Sequence, residues 1–155
     1  MVDVGQPAAD FTLPDQMGQE VTLSRFRGQP VVLYFYPKDD TPGCTTEACA
    51  FRDARNDYEQ LGAKVIGVSP DPVKSHKKFA DKHELPFTLV ADTEKSVCES
   101  YGVWQEKSMY GKKSMGVVRS TFVIDAEGVI RQIFAKVKVD GHCEAVLEAI
   151  KAIKM

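Results

Sequence analysis

The residues of this chain best suited to chemistry are gathered in one segment, Pro37-Lys38-Asp39-Asp40-Thr41-Pro42-Gly43-Cys44-Thr45-Thr46-Glu47-Ala48-Cys49. It follows an apolar run with strand character, Val31 to Tyr36, and opens the longest helical stretch, predicted from about Thr41 to Leu61 with Gly62 as its C-terminal cap. Thr41 suits the N-cap and Pro42 the first helical position. Cys44 then falls in the first turn, where unpaired amides and the positive end of the helix dipole favour a thiolate over a thiol. A lone helical cysteine is more often a small buried hydrophobe. The strand, the turn and the Thr-Pro-Gly-Cys helix start together point instead to a nucleophile.

A second sulfur lies close in sequence but not in space. At 100° per residue, Ala48, Phe51, Arg55 and Tyr58 fall on the side of Cys44, so Cys44 should face the body of the protein. Cys49 belongs to the side of Asp53, Asn56 and Gln60. Residues five apart on an intact helix have Cα atoms about 8.7 Å from each other, and a disulfide tolerates no more than about 7 Å. If Cys44 and Cys49 bond, the first turns of the helix must unwind, which would tie redox state to conformation.

The elements that must hold this segment are legible in the apolar pattern. Strands are expected at Val31 to Tyr36, Lys64 to Ser69, Phe87 to Val90, Ser120 to Asp125 and Val129 to Phe134. The last two are joined by Ala126-Glu127-Gly128 as a hairpin, and a weaker hairpin pairs Phe11-Thr12-Leu13 with Val21-Thr22-Leu23. Further helices are expected at about Val73 to Glu84, Ser96 to Tyr101 and His142 to Ile153. Nearly all-apolar strands separated by helices imply an α/β fold with a central mixed sheet covered on both faces, its closing hairpin supplying antiparallel edge strands.

At 155 residues the chain is expected to form one domain over residues 1–155, large enough to fold without disulfide staples. A net charge of −2 gives no footprint for nucleic acid or an anionic membrane. The longest apolar stretch is far short of the ~20 residues that span a bilayer. The N-terminus shows no export signal, so a cytoplasmic, reducing setting is expected, in which cysteines are catalytic, metal-binding or packed.

At this point the sequence resembles a peroxiredoxin. Pro37, Thr41 and Cys44 meet the family's Pro-x-x-x-Thr-x-x-Cys pattern. Thr41 through Cys49, followed by Arg52-Asp53, resemble the bacterioferritin comigratory protein or Q-type subfamily. So do Gly102-Val103-Trp104, Arg119 through Asp125 and Val137 through His142. The resemblance implies a thioredoxin-like fold with an N-terminal hairpin extension, and a monomeric thiol peroxidase that needs no metal, flavin or haem. It implies that Cys44 is the peroxidatic cysteine and Cys49 the resolving one, joined in an intramolecular disulfide. Thr41 would bond the reacting atoms, Pro37 shield the pocket, Arg119 stabilise thiolate and peroxide, and Glu47 hold an arginine in place. Substrates would be hydrogen peroxide and organic hydroperoxides, and the reductant thioredoxin or glutaredoxin.

Some relatives place the resolving cysteine in the next helix, near Ala80, which offers no thiol here. Cys98 and Cys143 are expected to be packed, and His76 and His83 to lie exposed on one helix. Three rivals differ in chemistry. A thioredoxin-type thiol–disulfide oxidoreductase would be expected to carry Cys-x-x-Cys and a proline just before Ser120; neither is present. A structural zinc module would need a second close cysteine pair. A peroxide-responsive redox sensor would share the Cys44 chemistry and differ only in turnover.

Overall fold

A computed structural model describes residues 2–154. Five strands form the central sheet: β3 (Val31–Phe35), β4 (Lys64–Ser69), β5 (Thr88–Ala91), β8 (Ser120–Ile124) and β9 (Ile130–Phe134). Their order is β5-β4-β3-β8-β9. The pairs β3–β4 and β4–β5 are parallel, whereas β3–β8 and β8–β9 are antiparallel. The sheet is therefore mixed, as expected, but only β9 of the closing hairpin is an edge. β8 lies inside, against β3, because its five residues are all buried and would be wasted at a rim.

Strand β3 shows how the sheet divides the interior. Successive side chains point to opposite faces. Val32, Tyr34 and Tyr36 join one core with Cys44, Ala48, Phe51, Phe79 and Ile150. Val31, Leu33 and Phe35 join the other with Phe11, Leu23, Val97, Tyr101 and Phe122. The first core packs beneath α1 (Pro42–Asp53), α2 (Arg55–Gln60), α3 (Val73–His83) and α5 (His142–Lys154). The second lies under α4 (Ser96–Ser100) and the N-terminal segment, which carries the small hairpin of β1 (Thr12–Pro14) and β2 (Glu20–Thr22). Burying a side chain such as Phe51 in the first core contributes about 2 kcal/mol.

Two features depart from the sequence pattern. The long helix is two helices, because Ala54 has ψ 9° and closes α1 before α2 begins. No glycine or proline marks the break. Beyond it Tyr58 is buried with Ala48 and Phe51, but Arg55 is exposed rather than turned inward. The second feature is an additional hairpin, β6 (Trp104–Met109) with β7 (Lys112–Val117), paired in register from Trp104↔Val117 to Met109↔Lys112. Tyr110 and Gly111 turn it with positive φ of 53° and 77°, the conformation of a type I′ turn. Among the described residues, no helix is long and apolar enough to cross a membrane.

Candidate active site

The site lies where the chain leaves the C-terminal end of β3 and enters α1. Here the parallel neighbour β4 and the antiparallel neighbour β8 flank β3. The chain runs from β3 outward to β4 and β5 and then returns to β8 on the other side, and such a reversal of strand order opens a crevice at the strand ends in α/β sheets. Thr41 is the N-cap residue, with φ −93° and ψ 155°, and Pro42 is the first helical residue. The Thr41 hydroxyl does not cap the helix. It donates to the Lys38 carbonyl at 2.9 Å, which leaves its lone pairs free to accept. Pro42 has no N–H, so the helix start presents the amides of Gly43 and Cys44 without intrahelical partners.

Cys44 is buried, 2% exposed, on the face of α1 that carries Ala48 and Phe51. Arg119, the residue just before β8, reaches it from the neighbouring strand. One guanidinium nitrogen, Nη2, donates to Cys44 Sγ at 3.2 Å, and the other, Nη1, donates to Glu47 Oε1 at 2.6 Å. The planar fork thus spans a sulfur and a carboxylate one helical turn apart. Gly43 makes room for it: a Cβ at that position would stand 3.1 Å from Arg119 Nη2. Pro37 is half-buried at the start of the turn. The structure therefore brings Cys44 and Glu47 each into direct contact with Arg119 and sets Thr41 at the head of the same helix.

The other sulfurs divide clearly. Cys49 is half-buried and carries no bond to Cys44; all four cysteines are free thiols. Cys143 is packed in the first core, its Sγ 3.6 Å from the Ala50 carbonyl, and burial pushes its thiol up to about 11. Cys98 is fully buried in the second core, and burial together with Asp92 pushes it far above the ordinary thiol range. Neither is activated, as expected for packed thiols.

Burial acts on Glu47 and His142 in opposite directions. Desolvation pushes the Glu47 carboxyl up to about 7, although Arg119 pulls it down. Desolvation, helped by the charge of Arg119, pushes His142 down to about 4, and its Nε2 lies 2.8 Å from the Thr121 hydroxyl oxygen. Between pH 4.5 and 7 the folded state keeps a proton on Glu47 that the unfolded chain has lost, so this group makes stability fall as pH rises. Between pH 4 and 6.5 the unfolded chain protonates His142 and the folded state does not, so this group makes stability rise with pH. Each slope is worth roughly 2–3 kcal/mol once residual solvent screening is allowed for. The two should nearly cancel in the parent chain from pH 5 to 6.5. Urea unfolding is expected to show Glu47→Gln gaining stability over that range and His142→Gln losing it. Parallel profiles in both variants would contradict this account.

Besides Arg55, the sequence pattern misplaced a histidine. His76 is fully buried rather than exposed, and only His83 reaches solvent. The signal was present: Phe79 and Ala80 follow it at three and four residues, the spacing of one buried helix face.

The model of the AhpC/TSA family matches residues 4–133. The chain belongs to the AhpC/TSA family. Peroxiredoxin Bcp of Bacillus subtilis is 48% identical over 150 residues, 97% of this chain and 96% of that protein. The solved structure of the Xanthomonas campestris bacterioferritin comigratory protein, from work on its alkyl peroxide reduction activity, superposes with a TM-score of 0.92. It is 43% identical and covers 99% of this chain and 100% of its own. A mutant of Xylella fastidiosa PrxQ superposes with a TM-score of 0.94 at 38% identity, covering 100% and 99%. This AhpC/TSA family member is a peroxiredoxin with a thioredoxin-like fold, and it is a peroxidase.

Proposed function

We propose that Cys44 is the peroxidatic cysteine and Cys49 its resolving partner. One observation carries this reading: the Arg119 guanidinium bridging Cys44 Sγ and a buried carboxylate. A guanidinium N–H aimed at sulfur stabilises negative charge there, and the thiolate is the form that attacks. The sulfur attacks one oxygen of a hydroperoxide, the O–O bond breaks, and the leaving oxygen departs as alkoxide or hydroxide and takes a proton. Arg119 and the first-turn amides balance charge spreading over the breaking bond, as donors in an oxyanion site do. Thr41, its own hydrogen committed to Lys38, accepts from the peroxide hydroxyl and orients it. Glu47 fixes the guanidinium, and Pro37 shields the turn from water.

Cys44 is left as a sulfenic acid. Its hydroxyl leaves as water when the Cys49 thiol attacks, and a disulfide forms. Both sulfurs lie on α1, five residues apart, so its first turns unwind in this step. A dithiol protein, thioredoxin or glutaredoxin, returns both thiols by exchange. The relative's alkyl peroxide activity supports organic hydroperoxides beside hydrogen peroxide as substrates. We take the protein to act as a single-domain monomer in the cytoplasm, where a dithiol pool can reduce the disulfide in each cycle.

Mass spectrometry after one equivalent of peroxide tests the pairing. The parent chain should lose two hydrogens and yield a Cys44–Cys49 cross-linked peptide. Cys49→Ser should instead carry one or more added oxygens at Cys44. A bridge to Cys98 or Cys143 would reassign the resolving thiol.

A further inference from the structure

Asp39 sits in the turn before Thr41, and it is tied down far more heavily than a surface turn requires. It is 7% exposed. Its Oδ1 accepts from the Tyr36 hydroxyl at 2.6 Å, and its Oδ2 from the Ser75 hydroxyl at 2.7 Å. His76 Nδ1 lies 2.7 Å from the same Oδ2, and His76 Nε2 lies 2.9 Å from the Val90 carbonyl. The Asp39 amide donates to Asp71 Oδ2 at 2.7 Å, which also accepts from the Ser69 hydroxyl at 2.8 Å. One residue thus fastens the turn to the ends of β3 and β4, to α3 and, through the imidazole, to β5.

Asp39, Asp71 and His76 place three possible ligand atoms within 4.8 Å of one another. These atoms are already occupied by hydroxyl, amide and ring partners, so the group is closed as a hydrogen-bond network rather than open to a cation. Its position in the chain gives it another use. Asp39 precedes Thr41 by two residues and Cys44 by five, and the segment between them must return to one geometry after every unwinding of α1. A displacement of about 1 Å at a reacting group can lower a rate about 100-fold. The other contacts of the turn, Thr41 with the Lys38 carbonyl and Asp40 with Lys82 at 2.8 Å and His83 at 3.2 Å, are exposed. Water competes with such contacts, so they hold the turn less tightly than the buried Asp39 network.

We propose that His76, acting through Asp39, is a positioning residue for the peroxide-attack step: the imidazole braces the turn that sets Thr41 and the start of α1 around Cys44. This rests on the assignment of Cys44 as the nucleophile. The imidazole makes two short contacts, to Asp39 and Val90, besides a longer one of 3.5 Å from Nδ1 to the Tyr36 hydroxyl, and two isosteric substitutions separate the short pair. In His76→Asn the amide nitrogen occupies the place of Nδ1 and keeps the bond to Asp39 while losing Val90. In His76→Gln it occupies the place of Nε2 and keeps Val90 while losing Asp39. Each forfeits one of two buried bonds, so a merely structural role lowers stability and activity alike in both.

The experiment measures the second-order rate of Cys44 oxidation by hydrogen peroxide, the thermal midpoint, and the rate at which dithiothreitol reduces the disulfide. His76→Gln is expected to oxidise about 10- to 100-fold more slowly than the parent, with disulfide reduction unchanged. His76→Asn should stay within a few-fold of the parent at a similar thermal midpoint. Equal oxidation rates in the two variants, whether parental or lowered in step with stability, would overturn the proposal. Should both fail to fold, Tyr36→Phe decides. It removes the hydroxyl that donates to Asp39 Oδ1 and lies 3.5 Å from His76 Nδ1, and a several-fold loss of oxidation rate without loss of peroxide-independent disulfide reduction supports the brace, whereas parental oxidation refutes it. A parent chain that does not consume peroxide would sink the peroxidase assignment instead, a result readable before any variant is made.

Discussion

Cys44→Ser is expected to lower peroxide consumption by about 1,000-fold or more while leaving the fold intact. The substitution exchanges one buried atom, Sγ for Oγ, in a position only 2% exposed, so packing is nearly preserved. What it removes is the proposed nucleophile: a hydroxyl does not ionise near neutral pH and attacks an O–O bond poorly. Loss of a nucleophile in a constellation that works as a unit costs nearly the whole rate advantage. The remaining thiols are poorer candidates, since burial pushes Cys143 up to about 11 and Cys98 higher still, and among the described residues no guanidinium donates a hydrogen bond to the Cys49 sulfur as Arg119 does to Cys44. The check is peroxide consumption with a dithiol reductant, beside a thermal midpoint. A serine variant that turns over at the parental rate would move the chemistry to another sulfur.

Arg119→Met should follow with a loss of about 100- to 1,000-fold in kcat/KM for peroxide, the usual cost of deleting one donor aimed at developing charge. The reason is the fork: one guanidinium reaches Cys44 Sγ at 3.2 Å and Glu47 Oε1 at 2.6 Å. Methionine fills the space but leaves Glu47 buried without its cation, so the carboxyl should hold its proton to still higher pH. Arg119→Lys should recover only part of the activity, because a compact ammonium cannot place two donors at both acceptors. Steady-state kinetics on the three proteins decides the point. A lysine variant equal to the parent would show that charge alone suffices and that the planar geometry is idle.

How much of this was readable beforehand varies by element. Four strands of the central sheet were legible because their residues are largely apolar and buried on both faces, and β9, with Arg131 and Gln132 exposed, was legible from the Ala126-Glu127-Gly128 turn that leads into it. Cys44 and Thr41 were legible because helix starts have strict chemistry. Arg119 and Glu47 were nameable from a resemblance, but their contact spans 72 residues of chain and no local pattern encodes it. The β6–β7 hairpin escaped because its strands, Trp104–Met109 and Lys112–Val117, are rich in lysine, glutamine and serine, and much of the hairpin lies exposed, without the apolar alternation that betrays a half-buried strand. Asp39 looked like an ordinary polar turn residue, and its burial follows only from where α3 and β5 arrive. His76 was misread because a charged helix hides one polar residue on its apolar face.

The break at Ala54 has a consequence for the energetics of the cycle. It ends α1 after 12 residues, near the lower length at which an isolated helix persists in water. Such a segment owes its order to the core beneath Ala48 and Phe51 rather than to its own backbone bonds. On the proposed Cys44–Cys49 pairing, melting its leading turn would give up few cooperative links, and the disturbance would end at Ala54 instead of spreading into α2. The interruption would then act as a firebreak, keeping a large local rearrangement from becoming a global one.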